Sequence, residues 1–401
     1  MSTTDLHQRV RSLIDHLLPE LVDLRHDLHA HPELGYEEHR TSTVVQDQLR
    51  DAGIEFTPGL AGGTGILGHL PGSAPNALGL RADMDALPIT EQTGCPWSST
   101  HEGVMHACGH DGHTTMLVGA ARVLKQLADE SPLPQPVSFV FQPAEEGGAG
   151  GKRMCEDGCV DGSVLGPPMK AMYGQHGWPA WPLGVVGSRP GAMLAAADRF
   201  DITVEGLGGH AAMPHTTNDP VLAAASIVTA LQQVISRNVN PVEGGVISVT
   251  RIEGGSAYNV IPGSVHLAGT LRALEPDALA TASRRLAEVV DATARACGCT
   301  ARLEYHEGYP VTRNDPTAFE TFETIARDTL GTDRVEPMVL PVMGGEDFSY
   351  YGQLVPACFF VLGLLPPGQE AMPGLHHPAF DFNDEALATG VEVLCRLALE
   401  A

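Results

Sequence analysis

The segment HACGHDGHT, residues 106–114, constrains the chain most, because it concentrates metal-binding side chains in one short stretch. Cys108 and His110 lie two positions apart, and in an extended or turning backbone such side chains point the same way. Thiolate and imidazole are strong protein ligands for zinc-like cations. An isolated C-x-H is more often a polar loop with a buried cysteine. The prediction of a metal site therefore depends on further ligands elsewhere in the chain.

Candidate ligands recur where predicted strands end. The strands are expected at residues 77–80, 137–141 and 171–174. Asp85 follows the first, the adjacent Glu145 and Glu146 follow the second, and His176 follows the third. In open α/β sheets ligands collect at the carboxyl ends of strands. Because adjacent side chains diverge, one glutamate can bind a cation while the other moves a proton. The repetition favours a metal site over a set of solvated polar turns.

Composition bounds the class of protein. A chain of 401 residues is expected to form two or three domains. Its net charge of -25 argues against nucleic-acid binding and against a polybasic membrane contact. We find no basic segment followed by an apolar stretch at the N-terminus, so no signal peptide is visible and a cytoplasmic protein with reduced thiols is predicted.

The pattern changes near residue 199. An alternating strand, RFDITVEG, leads into the glycine-rich turn GLGGHAAMPH, which carries His210 and His215. Helices are expected at residues 219–236 and 276–296, and further strands at residues 245–253, 264–272 and 300–306. The order β-α-β-β-α-β is that of a ferredoxin-like split. It indicates a domain inserted into an α/β chain.

With these motifs together, the chain resembles the metallopeptidases of peptidase family M20. It is most similar to the amidohydrolase branch, subfamily D, which includes hippurate hydrolase, N-acyl-amino-acid amidohydrolases and auxin-conjugate hydrolases. The blocks that carry the resemblance, in order, are RHDLHAHPELGYEE, RADMDALP, HACGHDGHT, FQPAEEGGAGG, GGHAAMPH, NVIP, GGEDFSYY and LHHPAFDFND. They extend nearly from end to end of the chain, and their order is more specific than any one block.

The resemblance implies the fold and the domains. It predicts an α/β fold whose catalytic domain, zinc-exopeptidase-like, has a mixed sheet flanked by helices, with an inserted ferredoxin-like α+β lid domain that also serves dimerisation. The catalytic domain is expected at residues 1–190 and 307–401, and the lid at residues 191–306. We expect a homodimer or homotetramer formed through the lid, with no nucleic-acid or membrane partner.

The resemblance also implies the site residues. Two divalent metal ions, Mn²⁺ or Zn²⁺, are expected to bind the side chains of Cys108, His110, Glu146, His176 and His376. Cys108 would bridge the two cations, and His376 is chosen over His377 from its position in the block. Glu145 would be the general base, and Asp85 would orient a ligand histidine. His210 would reach an active site, while Asn259 and Arg272 would hold a substrate carboxylate.

These roles predict hydrolysis of the amide bond of N-acyl amino acids. Two cations about 3.5–4 Å apart can lower the pKa of a water between them towards ~7. A general base can take that proton and return it to the leaving amine. A dipeptidase or carboxypeptidase acting through the same site is the nearest alternative. A non-catalytic binding protein and an acidic metal-storage protein are the others, and the intact Glu145, Cys108 and His110 argue against the first of these.

Overall fold

A computed structural model describes residues 3–401, which form two compact units. The first unit comprises the described residues up to Gly191, together with Arg313–Val339 and Asp347–Ala401. The second comprises Ala192–Thr312 and Leu340–Glu346. The second unit therefore interrupts the first in sequence.

The helices and strands are numbered in chain order. The helices are α1 Thr3–Ala30, α2 His39–Asp51, α3 His110–Glu130, the single turn α4 Glu145–Gly148, α5 Gly150–Glu156, α6 Pro220–Asn238, α7 Pro276–Ala296, α8 Pro316–Leu330 and α9 Leu387–Glu400. The strands are β1 Glu55–Leu60, β2 Gly65–Leu70, β3 Ala77–Asp83, β4 Val137–Gln142, β5 Met169–Pro182, β6 Val186–Ser188, β7 Gly191–Leu194, β8 Ala196–Glu205, β9 Gly209–His210, β10 Gly245–Glu253, β11 Val260–Ile261, β12 Ser264–Ala273, β13 Thr300–Tyr309, β14 Thr312–Asn314, β15 Val335–Pro337 and β16 Ala357–Leu365. Between residues 3 and 401, no helix is both long and apolar enough to cross a membrane.

The first unit is built on a mixed eight-stranded sheet in the order β1-β2-β4-β3-β5-β16-β6-β15. Its central strands β4, β3, β5 and β16 run parallel to one another. Strands β3, β4 and β16 are almost wholly buried, as expected for parallel strands covered by helices on both faces. The carboxyl ends of the four central strands lie at one edge of the sheet. Asp85 follows β3 there, and Glu145 with Glu146 follows β4, as expected. Strand β5 continues to Pro182, so His176 lies within that strand and does not follow it. The mixed sheet flanked by helices confirms the predicted fold class.

Helix packing in the first unit follows from apolar spacing. In α1, buried residues such as Leu17, Leu21, Leu24 and Leu28 recur every three or four positions and pack in one core with α3 and α9. Burial of such a leucine stabilises the fold by about 1.5–3 kcal/mol. The helix continues through Pro19.

The second unit is a four-stranded antiparallel sheet, in the order β10-β12-β8-β13, covered by α6 and α7. Along the chain, the strands of this sheet and the two helices follow in the order β8-α6-β10-β12-α7-β13. This is the β-α-β-β-α-β order of a ferredoxin-like split, as predicted. Asp219 caps α6 by accepting hydrogen bonds from the backbone N–H groups of Val221 and Leu222. Apolar residues from both helices and from the inner sheet face form a separate core.

Several boundaries differ from the sequence expectation for identifiable reasons. Strand β1 was missed because Pro58 and Gly59 interrupt it, and it lies at a sheet edge, where both residues are tolerated. Strand β13 continues past His306, the residue expected to end the lid, as far as Tyr309. Helix α3 begins at His110, so part of the glycine-rich segment 106–114 is helical.

Candidate metal centre

The start of α3 positions the first two candidate ligands. Gly109, immediately before the helix, has φ +91°, a conformation that glycine adopts without the steric penalty of a Cβ. This left-handed residue turns the chain between Cys108, which precedes the helix, and His110, its first residue. Both side chains are buried. The backbone N–H of His376 donates to the carbonyl of Ala107 at 2.7 Å, which brings a distant loop to the same place.

Two groups of candidate ligands converge, and Cys108 belongs to both. The ligand atoms of Cys108, His110 and His176 lie within 4.8 Å of one another, and so do those of Cys108, Glu146 and His376. Cys108 Sγ is 3.4 Å from His176 Nε2, and His376 Nε2 is 3.0 Å from Glu146 Oε1. Sharing of one thiol by two groups is the arrangement expected of a bridging ligand. The structure therefore brings all five sequence-predicted metal ligands together.

Hydrogen bonds orient both buried histidines for ligation through Nε2. His176 Nδ1 is 2.8 Å from the carbonyl of Gly177, and His110 Nδ1 is 2.8 Å from that of Asp85. A carbonyl only accepts, so in each ring Nδ1 carries the proton. Fixing the tautomer through the other ring nitrogen is the usual way in which proteins prepare a metal-binding imidazole.

A buried ring nitrogen without a hydrogen bond indicates that a cation fits here. Within the described chain, His110 Nε2 is buried and makes no hydrogen bond, and Glu146 Oε1 faces the ring nitrogen His376 Nε2 at 3.0 Å. A buried polar atom such as His110 Nε2 is costly unless a ligand satisfies it. Burial raises the pKa of the Cys108 thiol well above its ordinary value. A coordinating cation deprotonates a thiol outright. Cys108 would therefore become a thiolate when a cation binds to this group of side chains.

Asp85 links two of these ligands. Its Oδ1 lies 3.2 Å from His110 Nδ1, and its Oδ2 accepts the backbone N–H of Glu146 at 2.9 Å. One carboxylate thus fixes both a ring orientation and the start of the turn that carries a ligand glutamate. This is the placement expected for the orienting role predicted from the sequence.

The turn that carries Glu145 and Glu146 is strained and tightly packed. Ala144 and Ala149, which flank it, have φ values of 53° and 55°. Left-handed non-glycine residues of this kind cluster at functional sites. A Cβ on Gly150 would lie 1.7 Å from the carbonyl oxygen of Pro143, so only glycine fits there.

A buried carboxylate that the sequence did not single out supports this turn. Glu38 accepts the N–H of Ala144 and the hydroxyl of Thr64, each at 2.8 Å. Burial, with the nearby Asp85 carboxylate, raises the pKa of Glu38 to about 7. Glu38 lies in the RHDLHAHPELGYEE block, which was the only signal that could have identified it.

Asp347 holds Glu145 through its backbone and is itself anchored through its carboxylate. The backbone N–H of Asp347 donates to Glu145 Oε1 at 3.3 Å. The Asp347 side chain accepts hydrogen bonds from Arg81, Gln142 and the N–H of Gly151, each at 2.8 Å. The network joins the ends of β3 and β4 beneath Glu145, whose side chain is also buried. Asp347 lies in the GGEDFSYY block, to which the sequence assigned no role.

His113 belongs to the same motif, but both of its ring nitrogens make hydrogen bonds within the protein. Its Nδ1 is 2.7 Å from Asp83 Oδ1, and its Nε2 accepts the N–H of Gly177 at 2.8 Å. Both nitrogens are therefore occupied, and His113 supports the site without facing a cation. Gly112 is a helical position, where a Cβ would lie 2.6 Å from the ring of Phe382, so glycine permits this close packing.

The other three predicted site residues lie in the second unit. His210 in β9 pairs with Val260 in β11, and the N–H of Ala211 donates to the carbonyl of Asn259 at 3.0 Å. His210 Nδ1 accepts the N–H of Ala212, so its Nε2 carries the proton. Arg272 Nη1 donates to the carbonyl of Met343 at 2.9 Å, which uses one of five guanidinium donors.

The sequence matches a known family of peptidases over most of its length. The family description "Peptidase family M20/M25/M40" matches residues 79–400. The chain belongs to that family. The resemblance drawn from the ordered motifs is thereby confirmed.

Individual relatives align over most of the chain. It is 40% identical to the Arabidopsis thaliana IAA-amino acid hydrolase ILR1-like 5, over 94% of this chain and 86% of that protein. It is 38% identical to the N-acetyl-L-cysteine deacetylase of Bacillus subtilis strain 168, over 92% and 85%. It resembles the crystal structure of the Bacillus subtilis YXEP protein, a dinuclear metal-binding peptidase, with a TM-score of 0.81, 32% identity and coverage of 96% and 98%.

Proposed function

We propose that this enzyme hydrolyses the amide bond of N-acyl amino acids, releasing a carboxylic acid and a free amino acid. The observation that carries the proposal is the shared thiol of Cys108 beside the paired carboxylates Glu145 and Glu146. The relatives named above include a hydrolase of amino acid conjugates and an N-acetyl amino acid deacetylase. Their reactions belong to the class that we propose.

The five ligand side chains would hold two divalent cations, shared through Cys108. When bound, the cations polarise the amide carbonyl and lower the pKa of a water. Glu145 is buried, and one of its carboxylate oxygens and the ligand atoms of His110 and Glu146 lie within 4.8 Å of one another. Glu145 takes the proton of the attacking water and delivers it to the amide nitrogen as the carbon–nitrogen bond breaks. Asp85 and the Asp347 network keep these groups in place.

Residues of the second unit would recognise the rest of the substrate. Arg272 would bind the α-carboxylate of the amino acid in bidentate fashion, with Asn259 beside it. His210, protonated on Nε2, would donate to the developing oxyanion, a contribution of typically about 3–4 kcal/mol. These three roles rest on motif position.

The finer assignments also stay proposals. The cations would be Zn²⁺ or Mn²⁺, since the thiolate favours the former and the carboxylate suits the latter. A homodimer or homotetramer would form through the second unit, because β10 is an edge strand whose Ile252 is 60% exposed. The eight free thiols agree with a cytoplasmic protein.

The test is amine release from N-acyl amino acids and dipeptides by Zn²⁺- or Mn²⁺-loaded protein beside a chelated control. Chelator-sensitive turnover of acyl amino acids, with dipeptides slower, is the expected result. Faster turnover of dipeptides would make the enzyme a peptidase and overturn the proposal.

A further inference from the structure

The first unit contains a cleft of about 410 Å³ that is not lined by any of the candidate metal ligands. Its wall includes the partly buried side chains of Trp178, Leu365, Met372 and Leu375. Ala180 and Glu370, which are both exposed, also line the cleft. We call it the apolar cleft. Its volume falls within the range of about 300–1,000 Å³ typical of small-molecule sites.

Two walls of the apolar cleft continue directly into metal ligands. Trp178 follows His176 by two residues on β5, and their ring centroids are 6.0 Å apart in a T-shaped contact. The second wall, which includes Glu370, Met372 and Leu375, leads into His376, whose Nε2 lies 3.0 Å from Glu146 Oε1. A molecule in the cleft therefore lies beside the cluster of candidate ligands.

The charge of the wall decides which half of a substrate fits. Glu370 is the one charged residue among the described residues that line the cleft, and none of those is lysine or arginine. A free carboxylate desolvated there would be unpaired and close to a like charge, which is costly. The amino acid half of an N-acyl amino acid carries such a carboxylate. The acyl half does not, and its hydrocarbon matches the lining.

We propose that the apolar cleft binds the acyl group and selects uncharged, apolar acyl groups larger than acetyl. The inference rests on the proposed amide hydrolysis and goes beyond it by naming the acyl class. Trp178 and Met372 contact the acyl chain, and Glu370 excludes acyl groups that end in a carboxylate. Each methylene that the cleft removes from water raises kcat/KM about fourfold until the cleft is filled.

The experiment compares kcat/KM for acetyl, butyryl, hexanoyl and succinyl conjugates of one amino acid. In the unaltered enzyme, hexanoyl is expected to exceed acetyl by more than tenfold, with succinyl turned over most slowly. Ala180→Trp places a large ring in the cleft from an exposed position, so the hexanoyl-to-acetyl ratio should fall at least tenfold. Glu370→Gln should raise turnover of succinyl relative to hexanoyl.

Trp181→Phe is the matched control, because Trp181 lies on β5 but not in the cleft wall. Its ring lies so close to Gly187 that a Cβ there would clash with it. This variant should keep the wild-type ratio. A hexanoyl-to-acetyl ratio that Ala180→Trp leaves unchanged would overturn the proposal.

Binding of hexanoate, measured by calorimetry, separates this proposal from the proposed reaction. If no acyl amino acid is hydrolysed but hexanoate binds and Ala180→Trp abolishes that binding, the reaction is wrong and the cleft assignment holds. If acyl amino acids are hydrolysed but hexanoate binds equally to both proteins, or to neither, the cleft assignment is wrong.

Discussion

Replacement of Asp85 by asparagine tests how the protein prepares its ligands. The two carboxylate oxygens face two donors, His110 Nδ1 at 3.2 Å and the N–H of Glu146 at 2.9 Å. An asparagine offers one acceptor oxygen, and its NH₂ group would face the other donor. His110 Nδ1 keeps its 2.8 Å contact with the backbone carbonyl of residue 85, which limits the damage. We therefore expect a loss near the lower end of the range for such supporting groups, about 1.5 kcal/mol or roughly tenfold in metal affinity.

Metal affinity of the stripped protein would be measured by competition with a chromophoric chelator. The matched control is Asp198→Asn, because Asp198 is a buried carboxylate that accepts from the N–H of Gly308 and the hydroxyl of Tyr305, in the second unit. This control should lower thermal stability and leave metal affinity unchanged. An Asp85→Asn protein with wild-type metal affinity would refute the orienting role of Asp85.

Three further predictions address catalysis, recognition and stability. Glu145→Gln should retain the cations and lower kcat at least ~10²-fold, because a general base is removed. Wild-type kcat in steady-state assays would show that Glu145 is not the general base. Arg272→Ala should weaken substrates with a free carboxylate far more than their amide analogues, whereas equal losses in kcat/KM would make Arg272 structural. Asp111 and Glu91 raise the pKa of His29 to about 10 despite its burial. That stabilising contribution is complete below the unfolded value of 6.5 and is lost as pH rises through about 10. Denaturant unfolding of wild type and His29→Gln should therefore converge at high pH, and a difference that persists there would contradict the ion pair.

Four of the five candidate ligands that lie together in the structure could be identified from local features, namely short motifs and predicted strands, whereas His376 depended on the family resemblance. Cys108 with His110, and Glu145 with Glu146, could be recognised from adjacent residues and from the strands before them. The meeting of β3, β4 and β5 at one edge follows from parallel pairing, which an α/β pattern already favours.

The supporting groups could not be predicted in the same way. Glu38 and Asp347 act through contacts 106 and 202 residues away in sequence, with Ala144 and Glu145 respectively. Neither carries a local pattern that distinguishes it from a surface carboxylate. The helical start at His110 could not be predicted either, because it depends on the left-handed conformation of Gly109, which glycine adopts in loops as readily as before helices.

If Cys108 is shared by two cation sites, its removal should weaken both, and metal stoichiometry measures this. Stripped protein would be reconstituted, dialysed and analysed by mass spectrometry of its bound metal, for wild type, Cys108→Ala and His176→Ala. We expect two cations per chain in wild type, weakened binding of both in Cys108→Ala, and weakened binding of one in His176→Ala. Two cations held with wild-type affinity by Cys108→Ala would contradict the sharing of Cys108.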